Sequence, residues 1–109
     1  MRNDRTYMLH IRDALSLILE YAKDGKTEFD ANGMCRDAVI RQFEVVGEAS
    51  KSVGTDYKSA HPEVPWRDLA RLRDVLIHQY FSVDLDAVWD AVVRRVPTVL
   101  ASITALLDA

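Results

Sequence analysis

Apolar residues recur at intervals of three and four along most of this chain, a spacing that places them on one face of a helix. No segment shows the sustained alternation that is typical of a strand. The spacing predicts helices at about residues 4–23, 34–53 and 65–81, and a fourth that begins at Ser82 or Asp84. Because the connections are short, we expect one all-α domain over residues 1–109, folded as an up-and-down antiparallel four-helix bundle.

The residues on each apolar stripe are the predicted core of this bundle. The first helix contributes Met8, Ile11, Leu15, Ile18 and Ala22, and the second contributes Cys35, Ala38, Val39, Phe43, Val46 and Ala49. The last carries Leu85, Val88, Trp89, Val92, Val93, Val96, Leu100, Ile103 and Leu107. Residues 54–64 are predicted to form a connector with about one helical turn, after which Pro65 opens the third helix. The last helix is long, and we expect it to bend at Pro97.

Composition and charge narrow the classes of function. The 109 residues are 49% hydrophobic and carry a net charge of −3, so the chain lacks the broad cationic surface of proteins that bind long nucleic acids. Any contact with RNA must therefore come from a local cluster. No apolar stretch approaches the roughly 20 residues that span a bilayer, and the N-terminal segment lacks the apolar core of a signal peptide. The single cysteine, Cys35, suits a reducing cytoplasm.

The spacing of potential ligands does not indicate a metal or a nucleotide cofactor. One cysteine and three widely separated histidines, His10, His61 and His78, do not fit the ligand spacing of a metal site. The four glycines form no phosphate-binding loop. We therefore expect metal-independent chemistry without a cofactor.

The third predicted helix carries the most informative polar residues. Its bundle-facing stripe contains Leu72, and Arg73 and His78 stand about 100° and about 240° around the helix from that residue, on opposite flanks of the outer face. Apolar residues such as Ile77 lie between them, which predicts that another subunit covers this face. A two-fold homodimer would bring two arginines and two histidines into one cleft.

These residue types fit cleavage of RNA by its own 2′-hydroxyl. Asp74 precedes His78 by one helical turn, so its carboxylate can orient the imidazole or raise the histidine pKa. A histidine near neutrality serves as base and then acid, while Arg73 binds phosphate oxygens in a planar fork. Tyr80 lies two turns after Arg73, which places the phenol beside the guanidinium. The alternative is an ordinary surface pair, because this spacing alone is common on helices.

Other polar residues have two interpretations each. Arg67 and Arg71 share a helix face and are candidates for a phosphate-binding patch, with a solvated surface as the alternative. Arg41, Glu44 and Glu48 are interpreted as a set of ion pairs on the surface of the second helix, with a structural role near the cleft as the alternative.

The remaining residues that resemble site residues are interpreted as structural. Trp66 and Trp89 lie near apolar stripes and are expected to pack rather than to stack on bases. Cys35 begins a helix, where a thiol pKa can fall, but it has no evident catalytic partner and is expected to pack. His61 precedes a proline in a connector and is taken as structural.

The run from Arg73 to Tyr80, R-D-V-L-I-H-Q-Y, resembles the Arg-x4–6-His signature of the HEPN ribonuclease superfamily, and in particular its HepT-like branch. Four further segments resemble the same branch: residues 2–11, 38–49, 61–69 and 83–89. The resemblance therefore covers nearly the whole chain. Two departures are visible, since Asp74 stands where the branch usually has asparagine and Arg71 where it often has a small residue.

This resemblance implies a helical homodimer with its two motifs at the interface and RNA cleavage as a toxic activity. It also implies neutralisation by an MNT-type nucleotidyltransferase antitoxin, which in this branch attaches AMP to the motif tyrosine, here Tyr80. Arg73, Asp74 and His78 are the expected catalytic residues. Two other functions stay open at this point: a non-catalytic subunit that is bound and modified by the nucleotidyltransferase, and a purely structural helical dimer.

Overall fold

A computed structural model describes the backbone of residues 3–78 and 84–109, and the side chains of residues 3–74 and 84–109. The described chain confirms the predicted all-α class. Its helices are α1 (Asp4–Tyr21), α2 (Lys26–Ala31), α3 (Gly33–Ser52), α4 (Thr55–Ala60), α5 (Trp66–His78), α6 (Leu85–Arg94) and α7 (Val96–Asp108).

The long helices α1 and α3 form an antiparallel pair at the centre of the fold. The Sγ atom of Cys35, at the start of α3, donates a hydrogen bond to the carbonyl of Tyr21 at the end of α1, at 3.2 Å. At the opposite end, the backbone N–H of Gly54 donates to Oδ1 of Asp4 at 2.8 Å. The predicted stripes of both helices meet in the core between these two contacts.

Helices α5 and α7 complete the bundle on either side of this pair. Helix α5 packs against α3, and α7 packs against α1. The direction of α7 is shown by Arg5, whose Nη1 donates to the carbonyl of Leu107 at 3.1 Å. The end of α7 therefore lies beside the start of α1, so these two helices are also antiparallel, as the sequence pattern predicts.

The sequence pattern does not predict α2, which falls in the interval between the first two predicted helices. A helix of six residues is too short to show a periodic stripe. Its one large apolar residue, Phe29, is fully buried, and its ring centroid lies 5.1 Å from that of Trp89 on α6. Lys26 adds an ion pair to Asp86 at 3.0 Å. Tertiary contacts to α6 thus account for this helix.

The bend expected at Pro97 takes the form of a break at Arg95. Helix α6 ends at Arg94, and Pro97 lies in the first turn of the separate helix α7. Proline donates no backbone hydrogen bond, and its ring collides with the carbonyl four residues earlier, here that of Val93. The backbone hydrogen-bond ladder of α6 must therefore end before Pro97. Proline is well tolerated in the first turn of a helix, which is its position in α7.

Most predicted core positions are buried, whereas Cys35, Ala38, Leu85, Trp89 and Leu100 are only partly buried and Val93 is exposed. Val93 is 55% exposed, because α6 turns Val88 and Val92 toward the core and leaves the next position outside. Cys35 is half-buried rather than fully buried. Among the described residues, no helix is both long enough and apolar enough to cross a membrane.

The contact between α2 and α6 can be tested by truncating its central side chain. Phe29→Ala is expected to lower the free energy of unfolding by about 3–5 kcal/mol, because it removes a fully buried ring and leaves a cavity. The measurement is urea denaturation followed by circular dichroism. Met34→Ala is the control, since Met34 is 84% exposed and its loss should change the unfolding free energy by about 0.5 kcal/mol or less. Equal effects of the two substitutions would contradict this placement of α2.

Candidate active site

Helix α5 presents Arg73, and its first turn is anchored in the fold by Trp66. The indole of Trp66 is buried, and its Nε1 donates a hydrogen bond to the carbonyl of His61 at 2.9 Å. Leu69 is buried one turn later, and Leu72 packs against the core. The interpretation of Trp66 as a packing residue is therefore confirmed. Because Trp66, Leu69 and Leu72 face the core, Arg73 lies on the side of α5 that faces α3.

Helices α3 and α5 cross in direct backbone contact where Gly47 meets Arg73. A Cβ atom added to Gly47 would lie 2.6 Å from Cβ of Arg73, 2.8 Å from its backbone N and 3.0 Å from the carbonyl oxygen of Leu69. These distances are well below the roughly 3.5–4.0 Å of a favourable contact. The φ angle of Gly47 is negative, so space rather than backbone conformation requires glycine here. This glycine sets how closely the motif backbone approaches α3.

The next residue of α3, Glu48, binds the Arg73 side chain. Its Oε2 lies 2.6 Å from Nε of Arg73, while Oδ1 of Asp74 lies 3.5 Å from Nη1. The Arg73 side chain is 36% exposed and that of Glu48 is 62% exposed. An ion pair with this much solvent contact contributes about 1 kcal/mol or less to folding. Its main effect is orientation, because the carboxylate holds the Nε edge of the guanidinium and fixes the plane of the fork.

Asp74 is held by Lys51, one turn further along α3. The Lys51 Nζ atom donates to Oδ1 of Asp74 at 2.6 Å. This hydrogen bond, together with the positive charges of Lys51 and Arg73, lowers the pKa of Asp74 below its ordinary value of 3.8, against an opposing effect of burial. The carboxylate is therefore ionised at neutral pH. Gly47, Glu48 and Lys51 lie on one face of α3 and together fix both motif residues.

A cleft of about 370 Å³ opens between α1, α3 and α5, and Arg73 forms part of its wall. We call it the Arg73 cleft. Its polar lining includes Tyr7 and His10 from α1, Arg41, Glu44 and Glu48 from α3, and Arg73 from α5. The site is thus concave and lined mostly by residues with polar or charged groups, and among the described residues its one side chain from α5 is that of the motif arginine.

The remaining predicted site residues fall into two groups. Arg67 and Arg71 are exposed on α5, which suits either interpretation given above. The side chain of His78, and the whole of Tyr80, lie outside the described residues, so their roles stay predictions. The expected contact between Asp74 and His78 is untested for the same reason.

Sequence reasoning found Arg73 and Asp74 but missed Gly47 and Lys51 on α3, and it gave Glu48 a structural role near the cleft only as the alternative to a surface ion pair. The expected pair between Arg41 and Glu44 is present at 3.4 Å, whereas Glu48 crosses to α5. Glycine is unfavourable inside a helix and often marks a close approach, so Gly47 carried the signal that could have located this crossing.

Cys35 behaves as a packing residue, in agreement with its interpretation. The side chain of Asn32 caps α3 by accepting hydrogen bonds from the N–H groups of Met34 and Cys35, at 3.0 and 3.2 Å. Burial nevertheless raises the pKa of the Cys35 thiol, with further contributions from Glu28 and Asp24. A thiol with a raised pKa is a poor nucleophile at neutral pH.

Comparison of the sequence with known proteins shows the family to which it belongs. Residues 11–106 match the family described as ribonuclease HepT-like. The chain belongs to this family. A relative from Thermococcus cleftensis, named a probable ribonuclease HepT, is 41% identical over an alignment of 106 positions, and the alignment covers 89% of this chain and 89% of the relative. The motif helix α5 and the α3 residues that bind it both lie inside the matched range.

Two further relatives are named provisionally as RNases. One, from Methanocaldococcus jannaschii, is 36% identical over 99 residues, covering 90% of this chain and 91% of the relative. The other, from Caldanaerobacter subterraneus subsp. tengcongensis, is 30% identical over 109 residues, covering 99% and 97%. No solved structure matches the chain.

The helix crossing gives a prediction on stability. Gly47→Ala is expected to lower the free energy of unfolding by about 1–3 kcal/mol, because the added methyl group collides with the backbone of α5. The matched control is Gly33→Ala on the same helix, whose Cβ would meet only Nη2 of Arg36 at 3.5 Å. There the gain in helix propensity should leave stability unchanged or raise it by up to about 1 kcal/mol. Chemical denaturation of both variants measures the difference, and a stabilised Gly47→Ala would rule out the close crossing.

The contact between Lys51 and Asp74 gives a prediction on ionisation. In Lys51→Gln the pKa of Asp74 should rise toward its ordinary value, because the main cause of its depression is removed. The contact stabilises the fold above the pKa that Asp74 has in the unfolded chain, and this contribution is lost as the pH falls through the lower folded-state pKa. Carboxyl-carbon NMR titration of Asp74 in both proteins measures the shift. An unchanged Asp74 titration in Lys51→Gln would contradict the contact.

Proposed function

We propose that this protein is a metal-independent endoribonuclease that acts as the toxin of a cytoplasmic toxin–antitoxin pair, with Arg73 and His78 as its catalytic residues. The observation that carries the proposal is the position of Arg73 in a chain of this ribonuclease family: the motif arginine lies in the wall of a cleft and is held there by Glu48. An arginine in a fixed plane at a cleft wall suits the recognition of an RNA phosphate. The names of the three relatives reported above support the same substrate class.

The proposed chemistry uses the 2′-hydroxyl of the substrate as the nucleophile. His78 removes its proton, the 2′ oxygen attacks the adjacent phosphorus, and the bond from phosphorus to the 5′ oxygen breaks. The leaving 5′ oxygen takes a proton from a protonated His78. Arg73 binds the phosphate oxygens and stabilises the charge that builds up during the displacement. The products are a 2′,3′-cyclic phosphate and a 5′-hydroxyl.

Asp74 has a supporting role in this proposal. Its carboxylate lies beside the Arg73 guanidinium and is held on that side by Lys51. We propose that it also faces the His78 imidazole, one turn later on the same helix, and favours the protonated form of that histidine. Arg67 and Arg71, both exposed on the same helix, are proposed to bind phosphates further along the RNA.

The biological setting that we propose is a homodimer neutralised by a nucleotidyltransferase of the MNT type. That antitoxin would attach AMP to Tyr80, seven residues after Arg73 in the sequence. The added phosphate and adenosine would then occupy the space that RNA needs beside the guanidinium, and their negative charge would compete for it. The alternative function is a non-catalytic subunit that binds this nucleotidyltransferase, for which Tyr80 matters and His78 does not.

Removal of His78 tests the catalytic proposal. Purified protein incubated with total RNA and with tRNA in EDTA should cut the RNA and leave 2′,3′-cyclic phosphate ends. His78→Ala should lower the cleavage rate by about 100- to 10,000-fold, because proton transfer typically contributes this much. His61→Ala is the matched control, since the hydrogen bond to Trp66 uses the backbone of His61 and survives the substitution. Unaltered cleavage in His78→Ala would remove His78 from the mechanism, and no cleavage by the parent protein would favour the non-catalytic subunit.

The contact between Glu48 and Arg73 gives a second test of the mechanism. Glu48→Gln should lower kcat by about ten- to hundredfold with little change in KM, because an uncharged partner restrains the guanidinium less tightly in its productive orientation. Asp90→Asn is the control, because it breaks a comparable exposed pair, Asp90 with Arg94, on another helix. Single-turnover cleavage separates the two parameters. An equal kcat in both variants would remove Glu48 from the mechanism.

A further inference from the structure

The Arg73 cleft extends along α3 from Glu48, which contacts Arg73, to Arg41. On α3, Arg41 and Glu48 lie two helical turns apart, which is about 10 Å along the axis. Glu48 contacts Arg73, so a second arginine lines the same cleft at about this distance from the proposed reacting phosphate, and the long arginine side chain can shorten the gap to the neighbouring phosphate. The volume of about 370 Å³ is in the range of sites that hold small molecules of nucleotide size.

The wall contributed by α1 supplies flat rings. Tyr7 and His10 face the cleft one turn apart, with ring centroids 6.1 Å apart and planes at 85° to each other. Tyr7 is half-buried and therefore fixed by its packing, whereas His10 is exposed. Such rings are the usual platform for an unpaired base, and this use is tolerant of sequence because every base has a flat face.

The charges in the cleft favour a nucleotide over a simple anion. Each of its two arginines already has a carboxylate partner, Arg41 with Glu44 at 3.4 Å and Arg73 with Glu48 at 2.6 Å. The Arg41 side chain is 68% exposed and its pair is long, so exchange of Glu44 for a phosphate costs little. The carboxylates left in the cleft can accept hydrogen bonds from base amino groups and ribose hydroxyls.

We infer that the Arg73 cleft binds one nucleotide of single-stranded RNA next to the phosphate that is cut. Arg41 binds the neighbouring phosphate, and the rings of Tyr7 and His10 contact the base. This inference rests on the proposed ribonuclease function and assigns to α1 and α3 a role in substrate binding beyond the Arg-x4-His motif. It also predicts a requirement for unpaired RNA, because a base inside a duplex cannot reach such a cleft.

Binding of a short labelled single-stranded RNA to the non-cleaving His78→Ala protein tests the inference, with fluorescence anisotropy measured over a series of salt concentrations. Adding Arg41→Ala should weaken binding about tenfold. It should also reduce the slope of log Kd against log salt by about 0.7, the value for one lost phosphate contact on a single strand. Arg41→Lys keeps the charge and should keep the slope.

A second set of variants tests the proposed contact between His10 and the base. His10→Ala should weaken binding about five- to hundredfold without changing the salt slope, and His10→Phe, which keeps a ring, should restore the affinity. Arg94→Ala is the matched control, because Arg94 is 75% exposed and paired within its own helix, as Arg41 is, but lies on α6. It should bind RNA as the parent does.

The outcomes separate the inference from the function on which it rests. If the His78→Ala protein binds RNA and the Arg41 and His10 variants bind as Arg94→Ala does, the cleft assignment is wrong and the ribonuclease proposal stands. If the His78→Ala protein does not bind RNA at all, both are wrong. Size-exclusion chromatography is run on every variant. A changed oligomeric state with unchanged RNA affinity would mean that a second copy covers the cleft, which also overturns the inference.

Discussion

The crossing of α3 and α5 at Gly47 is the constraint on which the candidate site depends. A helix interior normally disfavours glycine by about 1 kcal/mol relative to alanine. Here its missing side chain allows the Arg73 backbone to lie against α3, where any Cβ would collide with it. That proximity brings Glu48 within reach of the Arg73 guanidinium and Lys51 within reach of the Asp74 carboxylate. With α5 further away, both motif side chains would extend freely into solvent.

The polar contacts at this crossing add little to stability and much to geometry. Each is partly exposed, and exposed ion pairs contribute about 1 kcal/mol or less. The core supplies the stability through the buried stripes of α1, α3 and α7. The carboxylate of Glu48 instead holds the Arg73 side chain in one orientation, although this side chain can rotate about several bonds. Pre-orientation of this kind matters when the arginine must meet a phosphate in the transition state, because no free energy is then spent on ordering it.

Sequence periodicity was enough to predict the long helices. Each of them carries a stripe of several apolar residues, and most of those residues are buried. It failed at α2, where a single residue, Phe29, packs across the fold on a partner 60 positions away. It also placed the last break imperfectly, since proline interrupts the hydrogen-bond ladder upstream of its own position. The motif residues could be singled out from their spacing on one helix together with the resemblance of the surrounding segments. Lys51 could not be assigned as a partner, and Glu48 only as one of two alternatives, because spacing along one helix does not show how two helices are aligned.

The same alignment explains how a chain with a net charge of −3 can act on RNA. Its acidic surface repels long nucleic acid in general, so binding must depend on a small region where arginines are held in place. In the Arg73 cleft both arginines are partly neutralised by glutamates, which keeps the free protein from attracting anions without discrimination. Because exchange of Glu44 for a phosphate on Arg41 is nearly neutral, a ligand gains affinity mainly from contacts that a simple anion cannot make, such as the proposed contact with the ring of Tyr7. In the proposed binding mode, paired arginines beside flat rings favour an unpaired nucleotide over free phosphate, and this selectivity would arise from the arrangement of α1 against α3 rather than from the motif helix alone.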